Sequence, residues 1–143
     1  MKKISAIILV ILCVITLSSC ASVGYEKAPS WLRGKTWTGY KTYIYEDGSF
    51  TEDYSFTFYN DGSFRIEDHF EKLPEGMIVN TSGDSNTYQI NFVGPFEYEG
   101  SIENIEATFT FTKVSDNECE LNSIFKSSSV ANPYLDSVTL HAN

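Results

Sequence analysis

From Thr36 to the C-terminus, apolar and polar residues alternate at a period of two. Successive side chains of a strand point to opposite faces, so this pattern predicts half-buried β-strands. The clearest case sets Ile105, Ala107, Phe109 and Phe111 on one side and Glu106, Thr108, Thr110 and Thr112 on the other. Tyr88, Ile90 and Phe92 do the same against Gln89 and Asn91. With turn-forming residues as boundaries, strands are predicted over 36–46, 49–59, 63–72, 77–81, 87–93, 96–102, 105–113, 119–126 and 137–142. No amphipathic helix pattern interrupts them. Eight to nine short strands in succession predict an all-β fold, a small antiparallel up-and-down β-barrel, because closure removes the exposed edges of an open sheet.

Side-chain parity registers the first hairpins, since directly paired residues share a face. Phe50, Tyr54, Phe56 and Phe58 share one, as do Phe64, Ile66 and Phe70, which predicts Phe58 opposite Phe64 across the loop Asn60-Asp61-Gly62. A two-residue Asp47-Gly48 turn would pair Tyr45 with Phe50 and Trp37 with Phe58.

The N-terminus has a different pattern. Lys2 and Lys3 precede an apolar run from Ile4 to Leu17, too short to span a bilayer, and the run stops at Ser18-Ser19-Cys20. This is the arrangement of a helical export signal over residues 1–19. Leu17-Ser18-Ser19-Cys20 resembles the lipobox of bacterial lipoproteins, in which the signal is cut just before the cysteine. The resemblance implies acyl chains on Cys20 and hence attachment to a membrane. At roughly 0.8 kcal/mol per buried methylene, two or three chains make dissociation negligible. Ala21 and Ser22 lack the aspartate that retains lipoproteins in the inner membrane, so the resemblance favours the outer membrane of the cell envelope. Residues 20–30 are short, polar or turn-forming and read as a lipidated tether, leaving 31–143 for one barrel domain.

Removing Lys2 and Lys3 with the signal leaves eight basic residues against 19 acidic ones, a mature charge of −11. Such a charge argues against nucleic acid as a partner. All 21 aromatic residues lie after the signal and can fill a core. Cys13 would leave with the signal and Cys20 would be acylated, so Cys119 has no intramolecular disulfide partner. Its parity places it inward with Leu121 and Phe125, as a small hydrophobe.

The stretch Trp31-Leu32-Arg33-Gly34-Lys35-Thr36-Trp37-Thr38-Gly39 resembles the beginning of the first strand of lipocalin and calycin barrels, where a glycine closely followed by a tryptophan sets the indole across the closed base. It departs from that motif in having two residues between Gly34 and Trp37 rather than one. The resemblance implies a calyx that takes a small, often apolar ligand through its open end, with Trp37 over the base alongside Phe58 and Phe64.

Above that floor, the predicted register puts Lys41, Tyr43, Glu52, Tyr54 and Asp68 on the inner face. Buried charges are costly unless paired, so these residues are candidate orienting groups of an otherwise apolar cavity. A bulge turning Glu52 or Asp68 outward, or a short barrel with its charges at the mouth, would equally accommodate them. His69 and His141 form no ligand set of recognised spacing, and no metal, cofactor or catalytic constellation is indicated. The acidic turns at 60–62, 83–86 and 116–118 follow ordinary turn chemistry. Two functions remain: a non-catalytic, membrane-anchored barrel that binds a small apolar or amphipathic molecule, or a fully packed acidic β-domain that the envelope presents to a protein partner.

Overall fold

The computed structural model describes residues 26–66, 75–98 and 100–143. The signal segment, the lipobox with Cys20, and Asp68 with the remainder of the third predicted strand lie outside them. The described chain forms eight strands: β1 (Lys35–Tyr45), β2 (Gly48–Phe58), β3 (Phe64–Ile66), β4 (Ile78–Gly83), β5 (Thr87–Tyr98), β6 (Ser101–Lys113), β7 (Glu118–Ser127) and β8 (Tyr134–Ala142). They make one antiparallel sheet in the order β3-β2-β1-β8-β7-β6-β5-β4. This is the all-β, up-and-down architecture predicted, built as a sheet curled into a half-barrel. The first and last strands pair in its interior through Trp37↔Ala142 and Thr38↔His141. Among the described residues no ladder joins β3 to β4, so the seam falls there.

Ring packing across the concave face holds the curl. Phe56 meets Phe109 and Phe111 at 5.7 and 5.0 Å between centroids, and Phe58 meets Phe111 and Tyr88 at 5.3 and 6.0 Å, all edge to face. Phe64 reaches Phe92 at 6.5 Å, spanning the seam. Edge-to-face pairs add about 0.5–1.5 kcal/mol each beyond the area they bury.

One end of the half-barrel is crossed by residues 26–34. Ala28 donates to the Gly62 carbonyl at 3.3 Å and Gly34 to that of Phe58 at 2.7 Å, on the β2–β3 side. On the β4–β5 side, Tyr88 Oη donates to the Glu26 carbonyl at 2.7 Å and the Gly83 N–H to the Glu26 carboxylate at 3.0 Å. Ala28 and Leu32 are fully buried. Trp37 is buried beneath this strap, donating from Nε1 to the Leu32 carbonyl at 3.1 Å and taking Trp31 edge-on at 5.9 Å. Residues 26–30, predicted as tether, are therefore part of the domain: the buried alanine, its backbone bond to Gly62 and the bonds of Glu26 to Thr81, Gly83 and Tyr88 fasten a stretch whose polarity alone suggested a linker.

Three strand expectations are corrected. The segments 87–93 and 96–102 are not separate strands. β5 continues through Gly94-Pro95, and its register with β6 is unbroken from Thr87↔Thr112 to Tyr98↔Ser101. Gly94 serves close approach rather than termination: it takes a φ of +153°, and a Cβ there would lie 2.8 Å from the Gly76 carbonyl. β8 begins at Tyr134, not at residue 137.

The β1–β2 register differs by two residues from the predicted one. Tyr45 pairs with Gly48 across a Glu46-Asp47 turn, and Trp37 pairs with Phe56. The slip preserves every face while improving the pairs. Thr36 and Thr42 come opposite Thr57 and Thr51, with hydroxyls 3.0 and 2.9 Å apart, Lys41 comes opposite Glu52, and Tyr43 stacks on Phe50. Matched cross-strand pairs of this kind contribute up to about 1 kcal/mol each. The β2–β3 register is the predicted one, Phe58↔Phe64, and Gly62 takes a φ of +89° in its loop.

Gly39 lies where β1 passes β8, and a Cβ would come within 2.5 Å of the Thr139 carbonyl and 2.8 Å of Leu140 Cδ2. Since the nearest obstacle is backbone, Gly39→Ala is expected to cost about 1–3 kcal/mol in urea unfolding. Cys119 is fully buried, and burial pushes its thiol from 9.0 up to about 12. Above pH ~9 the unfolded thiol ionises while the folded one keeps its proton, so the unfolded state binds fewer protons and stability falls as pH rises toward 12. Urea midpoints measured at stepped pH should decline from about pH 9, and in Cys119→Ala the decline should begin about one pH unit higher, where unfolded tyrosines ionise.

Candidate functional site

At the end opposite the strap, inward positions of β1, β2 and β8 turn from apolar to polar. Phase carries Lys41 and Tyr43 from β1, Glu52 and Tyr54 from β2, and Asp136 from β8 to one place. Asp136 is at its centre, with a side chain only 2% exposed. Its carboxylate accepts from Lys41 Nζ, from Tyr43 Oη and, at 2.8 Å, from Tyr54 Oη; the Ser137 N–H adds a fourth donor at 2.8 Å. A carboxylate can remain ionised at such depth only with a partner charge and several donors. Glu52 Oε2 lies 3.1 Å from Tyr54 Oη and 3.4 Å from Tyr43 Oη. Each phenol has a single proton, so Glu52 and Asp136 compete for the same donors.

Burial, together with the charge of Glu52, pushes Tyr43 and Tyr54 from 10.0 up to about 12. Tyr134, half-exposed at the rim, is pushed upward by burial of its hydroxyl end and by its hydrogen bond to Tyr43. These phenols stay neutral through the physiological range and act as hydrogen-bond donors.

The cluster forms one wall of a cavity of about 180 Å³, whose lining joins Glu52, Tyr54 and Tyr134 to Ala107, Phe109 and Phe125. Phe125 also lines an adjoining hollow of about 240 Å³ with Phe96, Ile105 and Val130, where Glu103 accepts from Ser127 and, at 2.7 Å, from Ser129. A broader groove, about 790 Å³, opens where the β1–β8 ladder stops; its walls include Lys41, Asp53, Ser55, Thr139 and His141.

Four of the five residues expected to orient a ligand thus meet: Lys41, Tyr43, Glu52 and Tyr54. Asp68 lies outside the described residues. Glu52 and Tyr54 line the inner cavity, whereas Lys41 is committed to Asp136 and borders the outer groove. Of the base residues, Trp37 and Phe58 are fully buried and Phe64 is half-buried against the core. Sequence reasoning missed Asp136 and Tyr134, although Asp136 is in phase with the inward Val138 and Leu140. The acidic turns behave as turns: Asp61 accepts from the Ser63 N–H at 2.9 Å, and Asp84 from Asn86 and Thr87 at 2.8 Å. Among the described residues no three His, Cys, Asp or Glu side chains are grouped to hold a metal ion.

Comparison with protein-family models, curated proteins and solved structures returned no match.

Asp136→Asn replaces an acceptor of four donors by a group that itself donates toward Lys41. The expected loss is about 2–3 kcal/mol in urea unfolding, below that of a fully buried ion pair because Lys41 is 35% exposed. Glu118→Gln, which removes an exposed partner 3.8 Å from His141, should change stability by less than about 0.5 kcal/mol.

Proposed function

We propose that this chain is a membrane-anchored, extracytoplasmic lipoprotein whose barrel mouth holds a small amphipathic molecule without transforming it. The observation that carries the reading is the cavity beside Tyr54: a carboxylate and phenols on one wall, Phe109, Phe125 and Ala107 on the other. Apolar walls with a few convergent polar groups are the usual make-up of a small-molecule site. The adjoining hollow past Phe125 extends the apolar surface and would receive a hydrocarbon portion. Among its described residues the cluster offers hydrogen bonds and charge but no histidine or activated nucleophile, which supports holding over turnover. The anchoring half of the proposal rests on Leu17-Ser18-Ser19-Cys20, with Cys20 as the acylated residue and the outer membrane as the favoured location.

A second reading, presentation of an acidic domain to a protein partner, draws on the outer wall. Ladder partners Ile124 and Leu135 are 38% and 67% exposed there, and Ile44 is 85% exposed. Sparse apolar residues of this sort are common on monomeric proteins, so the inner cavity is the stronger observation.

Native mass spectrometry of the protein purified from its own host tests both halves of the proposal. The expected result is a chain beginning at Cys20 that carries two or three acyl groups, together with a co-purifying small molecule that Tyr134→Ala releases. An unmodified Cys20 would refute the anchoring.

A further inference from the structure

We infer that the β8-facing edge of β1 takes up an extended segment of a partner protein, added as a further strand in the groove between β1 and β8. This goes beyond ligand holding at the mouth and does not rest on it.

The backbone supplies the first argument. Among the described residues β1 and β8 pair only through Trp37↔Ala142 and Thr38↔His141, yet β1 runs on to Tyr45 and β8 begins at Tyr134. Tyr45 and Gly48 flank the two-residue turn, so odd-numbered residues of β1 bond to β2 and even-numbered ones face β8. The Asn143 N–H, donating to the Thr36 carbonyl at 2.9 Å, agrees with this alternation. Beyond Thr38, Tyr40, Thr42 and Ile44 therefore turn their N–H and C=O groups into the groove. On the other bank, Ala142 donates to Asn117 on the β7 side, so the odd-numbered residues of β8 face β1. Of these, Ser137 spends its N–H on the Asp136 carboxylate at 2.8 Å rather than on a neighbouring strand. An unpaired edge is a template for another strand, because backbone donors and acceptors seek partners.

Space is the second. β8 leaves the ladder by passing to the inner side of β1: a Cβ on Gly39, in phase with the inward Trp37, would come 2.5 Å from the Thr139 carbonyl. The outer side of the edge is thereby left to the groove of about 790 Å³. The bonds of Asp136 to Lys41 and Tyr43 lie on the inner face, so an added strand would run over them without breaking them.

The side chains on the banks state what kind of segment fits. Tyr40, Ile44 and Leu135 project outward there and are 71%, 85% and 67% exposed. In strand addition, main-chain bonds supply affinity and contacts with alternate side chains supply selectivity, so the segment carries apolar residues on its outward face. Lys41 is bonded to Asp136, and His141 lies 3.8 Å from Glu118. Asp53, the cross-strand neighbour of Tyr40, is exposed on the groove wall and in no ion pair among the described residues, which favours a basic residue in the same segment. The net charge of −9 disfavours a second copy of this chain as the donor of that strand.

The test follows amide hydrogen exchange by NMR in the processed chain, residues 20–143, carrying Cys20→Ser to keep it free of acyl groups. In the free protein the Tyr40 and Thr42 amides should exchange at least about tenfold faster than those of Lys41 and Tyr43, which are bonded to β2. The probe is the peptide acetyl-Thr-Val-Thr-Lys-Thr-Val-Thr-amide, which places valine, lysine and valine on one face. It should slow both amides about tenfold or more, whereas a copy N-methylated at its valines and lysine should slow neither. Tyr40→Ser should weaken peptide binding about fivefold or more, and Ile102→Ser, which trims an exposed side chain at the β5–β6 turn, should leave it unchanged. Tyr40 and Thr42 amides as slow as those of Lys41 and Tyr43 in dilute protein would show the edge already paired and overturn the inference. Slowing that grows with protein concentration without peptide would assign the edge to a second copy and overturn the partner. Equal slowing by the N-methylated peptide, or none by either peptide, would overturn strand addition. Equal affinity for a copy with glutamate in place of lysine would overturn the basic character of the partner. Release of the co-purified molecule by Tyr134→Ala is independent of these outcomes, so failure here leaves the holding proposal standing.

Discussion

The fold depends on aromatic rings meeting across a sheet that the hydrogen bonds of the described residues leave open. Among the described residues, ladders join every strand to its neighbours except at the β3–β4 seam, so that pairing alone would permit a flatter sheet. Phe56 and Phe58 of β2 lie against Phe109 and Phe111 of β6, which are four strands away through the sheet but adjacent in space. Burial of these rings is what makes curvature favourable, and the twist of antiparallel strands supplies its sense. The strap from Glu26 to Gly34 acts with them, because its bonds reach both the β3 and the β4 side of the seam.

The gradient along the inner face follows from the same arrangement. Toward the strap, inward positions hold Trp37, Phe58, Phe111 and Leu140, all without solvent contact. Away from it, β1 and β2 lengthen into a hairpin that residues 26–34 do not cover, and polar side chains become tolerable. Asp136 is the exception to gradual exposure. It is deeply buried yet charged, and it is kept so by Lys41 and two phenols that approach from β1 and β2. By drawing β8 to β1 below the point where their ladder ends, it substitutes side-chain bonds for the missing backbone ones.

Period-two alternation made the strands and their faces legible, and face assignment tolerates errors of register. Although Trp37 pairs with Phe56 rather than Phe58, a two-residue slip moved no side chain to the other face, so Lys41, Tyr43, Glu52 and Tyr54 still converge as anticipated. What local pattern cannot encode is which distant strand lies next to β1. Asp136 comes from β8, some 95 residues from Lys41, and the predicted strand began at residue 137, one position too late to include it. Gly94-Pro95 misled in the opposite direction. Both residues are common punctuation, but here the glycine admits the close passage of residues 76 and 77 while pairing with β6 carries the strand on.

The fastening of Glu26 has a geometric consequence. It is bound to Thr81, Gly83 and Tyr88, all at the Trp37 end, and only residues 20–25 separate it from the proposed acyl groups. Six residues fully extended span about 20 Å, less than the thickness of most bilayers. Anchored through Cys20, the protein would stand upright like a cup on a short stem, its sealed floor toward the lipid and its rim toward the surrounding water. Cargo would then arrive from the aqueous phase, and the lipids beneath would have no direct route into the bowl.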